Sequence, residues 1–206
     1  MTYRTWRRIL SPVLVPLTRI CHQVDPNLIT FVALGLAIGA GLSFACSTVS
    51  VGLVLLAVHV VADYLDGAVA RASGRMSKLG NFLDHTADRL ADVACLGGLA
   101  ASGWASPLVA LSALVGSQFL AGVNTQVEAS TGVRRDPRLS RTDGHVALMA
   151  VLIAQGFLPG SLAGRSPLEW GLLAVVPCTF LAGIGRLIQA GRSIAKQPVG
   201  DTMKPT

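Results

Sequence analysis

Charge is what this sequence has least of. Only 14% of its 206 residues are Asp, Glu, Lys or Arg, against roughly 25% in a soluble domain. The thirty-seven residues from Pro26 to Ala62 carry none, and neither do the thirty-five from Val93 to Val127. Aromatic residues are sparse at 5%. There is no C-x-x-C pair, because Cys21, Cys46, Cys95 and Cys178 stand far apart in apolar surroundings. That spacing excludes a zinc knuckle and a dithiol redox motif, and the four cysteines read as small apolar packing residues. A mean hydropathy of +0.57 excludes an ordinary soluble domain. Low-complexity tracts and internal repeats are absent as well.

What remains is apolar and long enough to cross a membrane. A hydrocarbon core about 30 Å thick takes about 20 apolar residues per helix. Each charge-free block has room for nearly two crossings, and Gly144 to Gly164 and Trp170 to Gly185 add two more. The expected fold class is an all-α integral membrane protein with six transmembrane helices. An N-terminal interfacial amphipathic helix precedes them, and both termini are cytoplasmic. Residues 1–24 form the interfacial segment, 25–191 the six-helix transmembrane domain and 192–206 a polar tail.

The punctuation supports this division. In residues 1–24, Arg4, Arg7, Arg8 and Arg19 alternate with large apolar side chains, while Pro12 and Pro16 argue against a straight spanning helix. No uninterrupted apolar run with a small-residue cleavage site marks a signal peptide there. Pro26 suits the first turn of the first span, which ends near Cys46. Ser47, Thr48 and Ser50 then break the chain before a span from Val51 to Arg71. The third span runs from Gly80 or Asn81 to Ala101, and Trp104 marks the following turn at interface depth. Further spans cover Pro107 to Glu128 and Asp143 to Phe157. Ser166-Pro167-Leu168-Glu169 has the form of a capping box opening the last span, which carries Pro177 and ends near Arg186. In this layout sixteen of the seventeen Lys and Arg residues are cytoplasmic, Arg165 being the exception. Positive-inside topology thus accounts for the net charge of +6, and no nucleic acid partner is implied.

The acidic residues are concentrated instead of scattered. Five of eleven lie between Asp63 and Asp92, in the stretch that separates the two charge-free blocks. Asp63 and Asp66 are three apart at the end of the second span. Asp84 and Asp88 are four apart at the start of the third. Each pair shares a helix face, and a short loop makes the two helices expected antiparallel neighbours, so four carboxylates converge. Insertion scales put a charge at a helix centre at about 2.5–3.5 kcal/mol, less near the interface. Mutual repulsion adds to this, and two divalent ions would relieve it. Hard oxygen ligands favour Mg²⁺ or Mn²⁺. Two ions about 4 Å apart suit displacement at phosphorus. Gly67 lets a ligand approach the backbone, and Arg71, four residues on, suits a phosphate.

The order D-x-x-D-G-x-x-A-R, eight residues, G-x-x-x-D-x-x-x-D is met at Asp63, Asp66, Gly67, Ala70, Arg71, Gly80, Asp84 and Asp88. This resembles the signature of the CDP-alcohol phosphotransferases, membrane enzymes that join a CDP-linked lipid to a second alcohol and release CMP. The Pro26-Asn27 to Thr30 stretch, the interfacial helix and the six-span layout resemble the family too. The resemblance implies Asp63, Asp66, Asp84 and Asp88 at a two-metal site, with Asp88 as general base on the acceptor hydroxyl. It implies Asp66, Gly67, Ala70, Arg71 and Gly80 as the CDP-lipid contacts, and a homodimer in the cell membrane with its active site at the cytoplasmic face. His85, Arg89 and Asp92 lie outside the fixed positions.

Arg134, Arg135, Arg138, Arg141 and Arg186 gather on the cytoplasmic side of the later spans. An anionic acceptor suits them, glycerol phosphate or inositol phosphate. Arg134, Arg138, Arg141 and His145 are the candidate acceptor contacts. The inositol-phosphate branch carries a basic residue on the fourth span, where this chain offers Asn124, Gln126 and Glu128. His59 reads as a histidine hydrogen-bonded within the bundle. The lipid tails, diacyl or archaeal ether, are open. Alternatives are the same transfer to an unphosphorylated acceptor such as serine, and an intramembrane divalent-cation transporter. A transporter needs a polar path across the bilayer, and the outer halves of these spans are apolar. A prenyl-transferring enzyme needs a second Asp-rich motif, which is missing.

Overall fold

A computed structural model describes residues 3–131, 141–157 and 164–195. They form seven α-helices and no strand: α1 (Tyr3–Ile20), α2 (Pro26–Ala45), α3 (Val49–Ala72), α4 (Lys78–Ala101), α5 (Pro107–Thr131), α6 (Arg141–Phe157) and α7 (Pro167–Ile194). Four of these, α2, α3, α5 and α7, are long and apolar enough to cross a membrane. α4 is as long as α3 but carries Lys78, Asp84, Asp88, Arg89 and Asp92, and α6 has 17 residues.

Local chemistry sets the helix ends. The Asp25 carboxylate accepts from the Asn27 amide at 2.9 Å, with Pro26 in the first turn of α2. Ser77 caps α4 by accepting from the Gly80 amide at 2.9 Å, and Ser166 caps α7 by accepting from Glu169 at 3.1 Å. Between α3 and α4, Gly74 adopts φ +68° and the Arg75 amide reaches back to the Ala70 carbonyl at 3.0 Å. That is a Schellman ending, which only a residue at ease in the left-handed region closes without strain. It keeps the link from α3 to α4 short.

The N-terminal segment is helical as expected, and α1 runs through both prolines. Pro12 cannot donate to the Arg8 carbonyl, and the Ser11 hydroxyl takes that acceptor at 2.7 Å. Leu14 is buried on α3 with Val60, Tyr64, Leu65 and Val69, while Val13, Val15 and Ile20 are exposed. α7 extends to Ile194, two turns beyond the expected end near Arg186. The cysteines divide: Cys95 is in the core and Cys21 is half-buried, but Cys46 and Cys178 are exposed. The packing role therefore fails for those two, because Cys46 lies in the turn after α2 and Cys178 lines the cavity inside the bundle.

The organisation around α2 corrects a second expectation. α3 and α4 are consecutive, yet they make no extensive contact with each other, and each packs on α2 instead. Small residues make this possible. A Cβ on Gly41 would strike the Ala94 backbone carbonyl, and one on Gly98 would strike the backbone of Gly41. In a bilayer, where apolar burial does not drive helices together, such backbone approach is a main source of association. α5 packs on α4 and α7, and α6 on α7 and α3. The two acid-bearing helices, held apart by α2, leave a cleft between them. Four like charges and their counter-ions need that room.

Candidate active site

The cleft opens into a cavity of about 760 Å³ walled by α2 to α7. All eight positions of the acidic motif line it: Asp63, Asp66, Gly67, Ala70 and Arg71 from α3, and Gly80, Asp84 and Asp88 from α4. Their convergence follows from helical spacing on each element and from the shared packing of both elements on α2. His145 also lines the cavity. Arg134, Arg135 and Arg138 lie outside the described residues, and Arg141 opens α6.

The carboxylates are not equivalent. Asp66 is buried, and the hydroxyl of Thr30 on α2 donates to its Oδ2 at 2.7 Å. The charges of both Asp63 and Asp84 act on it, so the α3 and α4 carboxylates share one electrostatic environment. Asp84 and Asp88 are half-buried, and one ligand atom from each lies within 4.8 Å of the other and of a ring nitrogen of His85. That separation is compatible with a single shared ion. Carboxylates with one imidazole fit a divalent cation of the Mg²⁺ or Mn²⁺ type, the imidazole leaning toward Mn²⁺.

Glycine keeps the floor of the cavity low. A Cβ on Gly67 would sit 3.2 Å from Arg71 Nη1, so the guanidinium folds back over the glycine one turn earlier. A Cβ on Gly80 would meet Ser77 Oγ at 3.1 Å and Asn27 Oδ1 at 3.2 Å, so the first turns of α2 and α4 abut there.

Further along α4 the polar character continues. Asp92 is buried and accepts from the Ser117 hydroxyl of α5. Its other oxygen lies 3.2 Å from His145 Nε2 of α6. His59 is hydrogen-bonded inside the bundle as expected, its Nδ1–H donating to the Ala33 carbonyl at 2.9 Å. Near the end of α5, Asn124 accepts from Arg186 Nε at 3.1 Å, which braces a guanidinium from α7 there.

Four features were not legible in the residue pattern: Thr30 on Asp66, His85 beside Asp84 and Asp88, the Asp92 contacts, and Asn124 on Arg186. Thr30 carried a weak signal as a polar residue inside a charge-free block. A membrane-helix threonine commonly bonds only the carbonyl four residues back, and Thr30 also reaches the Pro26 carbonyl at 3.2 Å. His85 carries no such signal, because it falls outside the fixed spacing.

Membrane-length helices gathered around a cavity that presents paired carboxylates, an arginine and a glycine floor fit a metal-dependent transferase. The chain belongs to the CDP-alcohol phosphatidyltransferase family, whose family model matches residues 23–181. It is 30% identical over 205 residues to phosphatidylinositol phosphate synthase of Mycolicibacterium smegmatis, covering 96% of this chain and 89% of that protein. It is 30% identical over 183 residues to archaetidylinositol phosphate synthase of Methanothermobacter thermautotrophicus, covering 89% and 87%. A shorter match, 37% over 97 residues, joins it to archaetidylinositol phosphate synthase of Pyrococcus horikoshii and spans 47% of this chain and 52% of that protein. Two solved structures of Mycobacterium tuberculosis phosphatidylinositol phosphate synthase share the fold. One has CDP-DAG bound, with TM-score 0.73, 21% identity and 97% and 98% of the two chains covered. The other is in complex with manganese and citrate, with TM-score 0.74, 22% identity and 94% and 93% covered.

Proposed function

We propose that this transferase moves the lipid-linked phosphoryl group of a CDP-lipid onto a phosphorylated polyol and releases CMP. Inositol phosphate is the acceptor we favour, since the relatives are named for inositol phosphate products and the site has room for an anion. The observation that carries the reading is that all eight motif positions line a single cavity.

In this reading Asp63, Asp66, Asp84 and Asp88 hold two divalent ions, with His85 as a further donor. When bound, the ions supply positive charge to the phosphate oxygens. Gly67, Ala70, Gly80 and Arg71 receive the nucleotide end of the CDP-lipid, with the guanidinium on phosphate. Asp88 takes the proton of the acceptor hydroxyl. The acceptor oxygen forms a bond to the lipid-linked phosphorus as the bond from that phosphorus to the bridging oxygen breaks, and CMP departs with that oxygen. Arg134, Arg138, Arg141 and His145 receive the acceptor, with Arg186 braced on Asn124 nearby.

The placement we propose is six spans, α2 to α7, with α1 at the cytoplasmic interface, both termini cytoplasmic, and a homodimer. The charge asymmetry of the sequence supports the orientation. Residues 1–24, 25–191 and 192–206 are then interfacial segment, catalytic unit and tail. The test incubates purified protein with labelled CDP-diacylglycerol, Mn²⁺ and, in parallel, inositol phosphate, glycerol phosphate and serine. CMP release and a new lipid with inositol phosphate alone is the expected result. Turnover with serine instead, or none with any alcohol, overturns it.

A further inference from the structure

The geometry points to Asp92 as a positioning residue that presents His145 to the acceptor alcohol. This rests on the proposed transfer to a polyol and assigns one of its contacts. Asp92 lies one turn beyond Asp88 on α4 and is 4% exposed. It has no place in the acidic motif, and a buried carboxylate in a membrane-type bundle is costly unless its oxygens are occupied. Both are. Ser117 of α5 donates to Oδ2, and His145 Nε2 of α6 lies 3.2 Å from Oδ1. The Arg89 guanidinium acts on the same carboxylate electrostatically.

An ionised carboxylate can only accept hydrogen bonds, so Nε2 of His145 must carry the hydrogen. The tautomer is thereby set, and Nδ1 is the nitrogen directed away from Asp92. The ring has little freedom to turn: it is 6% exposed, and it packs edge-to-face with the His59 ring, the centroids 5.5 Å apart and the planes at 72°. His59 is itself anchored to the Ala33 carbonyl. A carboxylate on one ring nitrogen raises the accepting power of the other. His145 borders the same cavity as Asp88 and is therefore placed to accept a hydrogen bond from a polyol hydroxyl. No proton transfer to His145 is invoked, because Asp88 keeps that role. Asp92 touches no substrate and acts through the histidine, while Ser117 keeps the carboxylate from rotating.

The experiment measures KM separately for inositol phosphate and for CDP-diacylglycerol in the full-length protein and in Asp92→Asn, His145→Gln and the double variant. Glutamine at 145 can still donate to Asp92 through its amide but has no Nδ1, so it keeps the tie between α4 and α6 while removing the acceptor contact. We expect each single variant to raise the inositol phosphate KM about 10- to 100-fold, the range for a lost hydrogen bond to a charged or charge-polarised group. The CDP-diacylglycerol KM stays within about twofold in both, because that substrate is held by α3 and the first turn of α4. The double variant is no worse than the worse single one, as for residues acting through one contact. A His145→Gln protein with wild-type KM for inositol phosphate overturns the proposal, as does an equal rise for both substrates. Should Asp92→Asn fail to fold, His145→Gln alone decides. Absence of turnover in the unmodified protein would instead overturn the polyol-transfer reading itself.

Discussion

Thr30→Val isolates one hydrogen bond at the centre of the site. Valine keeps the shape of threonine and removes only the hydroxyl, which donates to Asp66 Oδ2 at 2.7 Å with both residues nearly inaccessible. A hydrogen bond to a charged group is worth about 1.5–3 kcal/mol, against about 0.5–1.5 for a neutral pair. As a metal ligand Asp66 is an ionised acceptor, so the upper range applies. At about 1.4 kcal/mol per factor of ten, the loss corresponds to roughly 10- to 100-fold. If Thr30 orients Asp66 for a metal, that factor should appear in metal affinity, and losses of outer partners of metal ligands fall in the same 10- to 100-fold range. The assay titrates purified protein with Mn²⁺, follows free ion by electron paramagnetic resonance, and compares the Mn²⁺ concentration for half-maximal CMP release. Thr30→Ser, which keeps the hydroxyl, should recover most of the loss. Unchanged or tighter Mn²⁺ binding in Thr30→Val would refute the reasoning, for Asp66 would then need no partner to be a ligand.

Three further outcomes are expected. Asp88→Asn should lower CMP release by about 100-fold or more, the scale of a lost general base, while CDP-lipid binding in a direct binding assay stays close to wild type. Gly67→Ala places a methyl group 3.2 Å from Arg71 Nη1, so the guanidinium must shift. The KM for CDP-lipid should rise, and the temperature of unfolding should hardly move because a side-chain tip gives way. Gly41→Ala meets the backbone of Ala94, which cannot give way; overpacking of this kind costs about 1–3 kcal/mol. Thermal unfolding in detergent should fall accordingly, with activity lost in proportion as α2 and α4 separate.

Much of the architecture can be read from residue order alone. Charge-free runs of membrane length, Pro26 after Asp25, and the Ser166 to Glu169 cap place the helix starts within two or three residues of where they lie. The acidic motif is equally legible, since spacings of three and four put carboxylates on one face whatever surrounds the helix. Other features resist such reading. How α1 passes its prolines is one, because the Ser11 hydroxyl satisfies the carbonyl that Pro12 leaves without a donor. α3 and α4, adjacent in the chain, looked like packing partners, yet each packs on α2, which meets α4 backbone to backbone at Gly41 and Gly98.

The residue order thus determined the helices, their ends, and the chemistry carried along α3 and α4. Tertiary packing decided which polar side chain meets which: Thr30 with Asp66, Asp92 with Ser117 and His145, Asn124 with Arg186. The reason lies in the solvent. A helix that is apolar all round shows no periodicity to tell its lipid face from its inner face. Partners across such helices are chosen by close backbone approach and by the demand that each buried polar group be satisfied, and both depend on positions far apart in the chain.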